Sequence, residues 1–180
     1  MPVETKKNEW LEWLKAIIIA LVLAIIIRTF IFASYEVQGE SMMPNAQDGE
    51  RFIVNKVGYG ISAPDRFDMI VFHATEEDDY IKRVIGLPGD LIRYEDDVLY
   101  INNEPIEEPF LEERRARYEQ GFYTKNFICP EVVPPNHVFV MGDNRANSLD
   151  SRRIGFISNE QIVGKVDLRF WPIKEVGLVH

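Results

Sequence analysis

The sequence predicts a mostly β, antiparallel domain behind one amino-terminal membrane-spanning helix. Two observations carry this expectation: a charge-free apolar run from Ala16 to Ile27, and short apolar alternations separated by turn residues from Tyr35 onward. A third bounds it. The 180 residues, 46% hydrophobic and 27% charged, show neither internal repeats nor low-complexity tracts, so one globular unit with an appendage is expected.

The run from Ala16 to Ile27 spans only about 18 Å as a helix, short of a hydrocarbon core of roughly 30 Å. Continued through Ala33 it reaches about 27 Å, and Arg28 can snorkel its guanidinium toward the headgroups. Trp10 and Trp13 before the run, with Phe30 and Phe32 closing it, suit an interfacial aromatic belt. The lack of a polar face argues against a buried core helix, and bulky Ile31 two positions before Ala33 argues against a cleavable leader. The expected division is a tail over residues 1–13, an anchor in the lipid bilayer over 14–33, and a folded domain over 34–180. Lys6, Lys7 and Lys15 precede the anchor, and after Arg28 the next basic residue is Arg51. The positive-inside rule therefore puts the amino terminus in the cytoplasm and the domain outside it.

Beyond Ala33 the chain carries 16 lysines and arginines against 26 aspartates and glutamates, a formal charge of −10. That excess argues against nucleic-acid binding as the main task. Cys129 is the only cysteine, so no intramolecular disulfide staples the fold.

The predicted strands are Tyr35 to Gln38, Arg51 to Val57, Phe67 to Phe72, Tyr80 to Ile85, Leu91 to Tyr94, Val98 to Ile101, His137 to Met141 and Gln161 to Trp171. Glu95, Asp96 and Asp97 supply a polar turn between the fifth and sixth. Glu107 to Glu119 suits a short exposed helix within an insertion or flap over about 103–135, to which no chemistry is assigned.

Ser41 opens the tetrad Ser41-Met42-Met43-Pro44, eight residues past the expected anchor. Serines before turns commonly bond their own backbone, so a nucleophilic role requires a base. Lys82 is the candidate: strand alternation puts Tyr80, Lys82 and Val84 on one face and Arg83 on the other. Among apolar neighbours the ammonium form is disfavoured, and a neutral amine accepts the serine proton. On a strand edge the same lysine simply snorkels. A third segment, Gly142 to Arg152, is dense in polar residues. Ser148 is placed there to hold the lysine amine, while Asp143, Asp150 and Arg152 clamp the loop by charge-assisted bonds.

With these segments in this order, the chain resembles the type I signal peptidases of bacteria, close to the single-anchor Gram-positive forms. The matching features are the anchor followed by Ser41-Met42-Met43-Pro44, the strand Phe67 to Phe72, Tyr80 to Asp90, and Gly142 to Arg152. The resemblance implies Ser41 as nucleophile, Lys82 as general base, Ser148 as the hydroxyl orienting that lysine, and Asp143, Asp150 and Arg152 as supports. It also implies exported preproteins with small residues at the −1 and −3 positions as substrates, with no metal and no organic cofactor. Asn45 departs from the family, where a threonine commonly follows the proline, as does Arg66-Phe67-Asp68 ahead of the strand. Gly39 stands where some relatives carry a serine of the oxyanion hole. Oxyanion stabilisation is then left to the Ser41 backbone N–H and a second donor sought in the Gly39 region.

Two other readings fit parts of the sequence. A self-cleaving repressor-type Ser/Lys peptidase shares the core, but it carries a DNA-binding region instead of an anchor. A silent, membrane-anchored binding protein has no use for Ser41, Lys82 and Ser148 together.

Overall fold

The computed structural model describes residues 9–57 and 63–179, without the side chains of Glu9 and Phe30. Lys6 and Lys7, used above for orientation, and the Phe30 ring of the proposed belt lie outside the described residues. Helix α1 runs Glu9–Ile26 and widens into a π-type turn over Ile27–Ile31. Its apolar surface is bare: Ile19 and Leu21 are each 59% exposed, and Trp10 and Trp13 more so. The apolar stretch Trp10–Thr29 has 20 residues, about 30 Å of helix, which fits a single membrane span.

The helix feeds directly into β1, Phe32–Glu36, which starts three residues earlier than the alternation from Tyr35 indicated. The reason is pairing. Phe32 lies opposite Asn55 of β2, Arg51–Asn55, and the Lys56 N–H donates to the Ile31 carbonyl at 2.9 Å, so the ladder extends to the mouth of the helix. An apolar residue leaving a membrane and an apolar residue on a half-buried strand have the same composition.

Three further strands complete the centre of the main sheet: β3 at Met69–His73, β4 at Asp79–Gly86 and β9 at His137–Met141. With β10 at Ile157–Ser158 and β11 at Ile162–Trp171, the antiparallel order is β1-β2-β11-β3-β4-β9-β10, and β12 at Gly177–Leu178 pairs with β11. On β3, Met69 and Val71 enter one apolar cluster with Phe52, Val54 and Val166. Ile70 and Phe72 enter another with Val84, Val138 and Val140. Both faces are buried, which is why this strand reads as a continuous apolar run.

The strand expected from Phe67 starts at Met69 instead. Phe67 has φ of 75°, a conformation costly for a bulky residue, and its N–H donates to the Val84 carbonyl at 2.7 Å.

A second antiparallel sheet, β7-β6-β5-β8, is built from β5 Ile92–Glu95, β6 Val98–Ile101, β7 Glu104–Ile106 and β8 Phe127–Ile128. Asp96 and Asp97 turn the β5–β6 hairpin with positive φ at both positions, the geometry that two-residue hairpin loops favour. The sheet packs through Ile92, Tyr94, Leu99 and Ile101 against Ile85, Phe139 and Met141 of the main sheet. The segment expected as a flap thus supplies two strands, β7 and β8, and the short helix Glu112–Ala116.

Candidate active site

Ser41 sits in the loop that returns β1 to β2. The Val37 N–H donates to the Glu50 carbonyl at 2.8 Å and the Gly49 N–H to the Val37 carbonyl at 2.9 Å, which closes the loop at its base. Met42, 1% exposed, anchors it in the apolar cluster around Phe52, a burial contributing about 2 kcal/mol. Gly39 at φ of 90° turns the chain into the serine, and its N–H donates to Asp48 Oδ1 at 2.7 Å. The Ser41 N–H makes no hydrogen bond to a described group. Of the two positions considered for the oxyanion, the Gly39 N–H is therefore already occupied and the Ser41 N–H is open.

Lys82 lies on β4, with Ile70 of β3 directly opposite. The other neighbour is β9, where Arg83 pairs with Met141, so the same register carried one residue further sets Gly142 beside Lys82. Lys82 is 4% exposed, and its Nζ lies 2.7 Å from Ser41 Oγ and donates to the Ile81 carbonyl at 3.0 Å. Burial lowers its pKa from 10.5 to about 8, partly opposed by the more distant charges of Asp150 and Asp143. A cleft of about 170 Å³ opens over the pair, walled by Val37, Ile81, Met42 and Leu149.

The segment after β9 wraps around this pair. The Asn144 N–H donates to the Ser41 carbonyl at 2.9 Å, and Asn144 Nδ2 donates to the Glu40 carbonyl at 3.1 Å. Gly142 permits that approach, because a Cβ there would come within 2.5 Å of the Ser41 carbonyl and 2.3 Å of Ser148 Oγ. Asp150 caps the helical turn Ser151–Ile154, accepts from the Gly142 N–H at 3.0 Å and receives both Arg152 Nε and Nη2, at 2.8 and 2.7 Å. Burial works against its charge, but the Arg152 guanidinium outweighs it and holds the carboxyl below its ordinary pKa.

Ser148 differs from its expected arrangement. Its Oγ is buried beside the Ser41 main chain and is not hydrogen-bonded to Lys82; it faces Asp150 and helps hold that carboxyl below its ordinary pKa. The contact that fixes Lys82 is instead its own neighbour's carbonyl at Ile81.

Sequence reasoning missed the deepest part of the support. Arg83, fully buried, donates from Nε and Nη2 to both oxygens of Asp143 at 2.9 and 2.7 Å, and from Nη1 to the Phe67 carbonyl at 2.9 Å. Asn45 completes this centre by donating Nδ2 to Asp143 Oδ2 at 2.7 Å, so the residue that departs from the family pattern ties the serine loop to the 142–152 segment. Arg145 forms a second buried centre, pairing with Glu108 and donating to Tyr94 Oη at 2.8 Å and Thr124 Oγ1 at 3.3 Å. Tyr123 Oη donates to the Asp143 carbonyl at 2.6 Å. Glu108, Tyr123 and Thr124 all come from the insertion given no chemistry, which therefore acts as a buttress for the loop. A local signal existed only at Arg83, which sits in the largely apolar strand β4; Glu108 and Arg145 stand among charged or polar neighbours and gave none.

A family model described as signal peptidase, peptidase S26, matches residues 10–171. The chain belongs to that family. It is 46% identical over 177 residues to a signal peptidase I of Bacillus caldolyticus, covering 96% of this chain and 94% of the relative. To a signal peptidase IB of Staphylococcus aureus it is 43% identical over 179 residues, covering 94% and 93%. A solved signal peptidase I structure from Enterococcus faecalis V583 superimposes with a TM-score of 0.55 at 35% identity, covering 58% of this chain and 97% of that one. As a signal peptidase family member the chain is a serine endopeptidase, and among the described serines Ser41 is the one with a lysine amine at hydrogen-bond distance.

Proposed function

We propose that this chain removes amino-terminal signal peptides from exported preproteins, with Ser41 as nucleophile and Lys82 as general base. The observation that carries the reading is the 2.7 Å approach of a desolvated lysine amine to a serine hydroxyl in an open cleft. The neutral amine accepts the Ser41 proton as Oγ attacks the substrate carbonyl, and the open Ser41 N–H donates to the developing oxyanion. Lys82 then protonates the leaving amine, and water activated by the same lysine releases the acyl group. Ser148, buried nearby between the Ser41 main chain and Asp150, is the hydroxyl available to steady the amine when it swings from Ser41. Asp143, Asp150 and Arg152 hold the 142–152 segment against the serine loop.

The shallow cleft beside Val37, Ile81 and Leu149 suits small side chains, in keeping with small residues at −1 and −3, and an extended substrate leaves alternate side chains facing it. The apolar helix serves as a membrane anchor with its amino terminus cytoplasmic and residues 34–180 outside. It keeps Ser41 near the membrane surface, where a preprotein's own hydrophobic segment ends.

Detergent-solubilised protein incubated with a secretory preprotein tests the assignment. Intact protein is expected to release the mature chain, with Ser41→Ala and Lys82→Ala both inactive. Normal cleavage by either variant sinks it.

A further inference from the structure

A recess of about 330 Å³ adjoins the catalytic cleft, between the 118–127 segment and the 145–153 loop. Ser148 lines it, and the next residue, Leu149, lines the cleft that holds Ser41 and Lys82. Four cations face the recess, Lys125, Arg145, Arg152 and Arg153, with no carboxylate among its lining residues. That is the reverse of the whole domain, whose formal charge beyond Ala33 is −10.

Two of the four are already neutralised. Arg145 is paired with buried Glu108, and Arg152 with Asp150. Lys125 and Arg153 are exposed and have no carboxylate partner among the described residues. Tyr118 and Tyr123 meet edge to face at 5.3 Å and give the recess a firm aromatic wall. Asp97 steadies the same segment by accepting from the Tyr123 and Thr124 N–H groups, and it does not line the recess.

We propose that this recess binds an acidic side chain of the polypeptide substrate, within the first few residues after the cut. The inference rests on the peptidase reading above. The cleft that holds Ser41 and Lys82, lined by apolar Val37, Ile81 and Leu149 and by Gln38, Asp79 and Tyr80, takes the segment before the scissile bond. With Leu149 lining the cleft and Ser148 the recess, we place the segment after the scissile bond toward the recess, so that its first few extended residues, at about 3.3 Å each, bring a side chain to Lys125 and Arg153. A carboxylate there meets two uncompensated cations in a partly enclosed site, whereas a lysine is repelled.

Three preproteins differing only at the second and third residues after the cut, carrying Asp, Asn or Lys, test this with the full chain in neutral detergent. Wild type is expected to favour Asp over Asn by about fivefold in kcat/KM, mainly through KM, with Lys poorest. Lys125→Glu with Arg153→Glu should invert that order, and Lys125→Gln with Arg153→Gln should flatten it. Equal cleavage of all three by wild type, or an unchanged order in the charge-reversed variant, overturns the acidic-residue site while leaving the peptidase reading intact. A preference that emerges only with anionic lipid vesicles overturns it too, since the cations then serve the membrane. If wild type cuts none of the three, both readings fall.

Discussion

Lys82 and Arg83 are neighbours on β4 and both are buried, yet their charges meet opposite surroundings. Arg83 is met by a carboxylate on both forks, a carbonyl on the remaining nitrogen and the Phe110 ring 4.1 Å from its guanidinium carbon. Lys82 meets a hydroxyl, a carbonyl and a tyrosine ring, and no carboxylate among the described residues is in contact with it. The first arrangement suits a permanent charge that holds structure. The second suits a charge that can be given up, which a general base requires.

The largest expected effect lies on the arginine side. Asp143→Ala strands a buried guanidinium, and it should cost about 3–5 kcal/mol in thermal or denaturant melts. A loss below about 1 kcal/mol would mean that Arg83 does not depend on this carboxylate.

Next comes the lysine side, with the opposite sign. Burial puts the folded-state pKa of Lys82 near 8 against 10.5 for the exposed group, so between those values the folded protein holds one proton fewer than the unfolded chain. Stability from this group therefore rises with pH across that window and is lost as pH falls through about 8. Lys82→Met should accordingly stabilise the protein at pH 7 by up to about 3 kcal/mol while abolishing cleavage, and the gain should fade by about pH 10. Destabilisation at pH 7 would show a paired lysine and break the comparison.

The smallest effect concerns Asn45, which donates to Asp143 from the serine loop. Asn45→Ala should cost about 1.5–2 kcal/mol of stability, since the bond is to a charged acceptor, and lower cleavage by loosening Ser41. Unchanged melting would place Arg83 alone in charge of Asp143.

How much of this was legible in the sequence follows from the range of each interaction. Strands His137–Met141 and Val98–Ile101 were readable to the residue, because alternation and turn chemistry are local signals. Ser41 and Lys82 were readable as a pair because their segments resemble family motifs, and the fold brings them together across 41 positions. Arg83 was read only as facing away from Lys82. Its partner lies 60 positions along the chain, and nothing in local spacing encodes that distance. Glu108 was hidden for the same reason: in a charged segment it resembles a solvated residue, and only the fold shows it buried against Arg145. Phe67 misled because its composition suits a strand while its φ does not.

The central claim is that Lys82 works as a neutral amine because it is buried. The pH dependence of kcat/KM on a preprotein tests it most directly, since that profile reports the ionisation of the free enzyme. The rate should climb as the base loses its proton, with an inflection at about 8. An inflection at the ordinary lysine value of about 10.4 would contradict the claim.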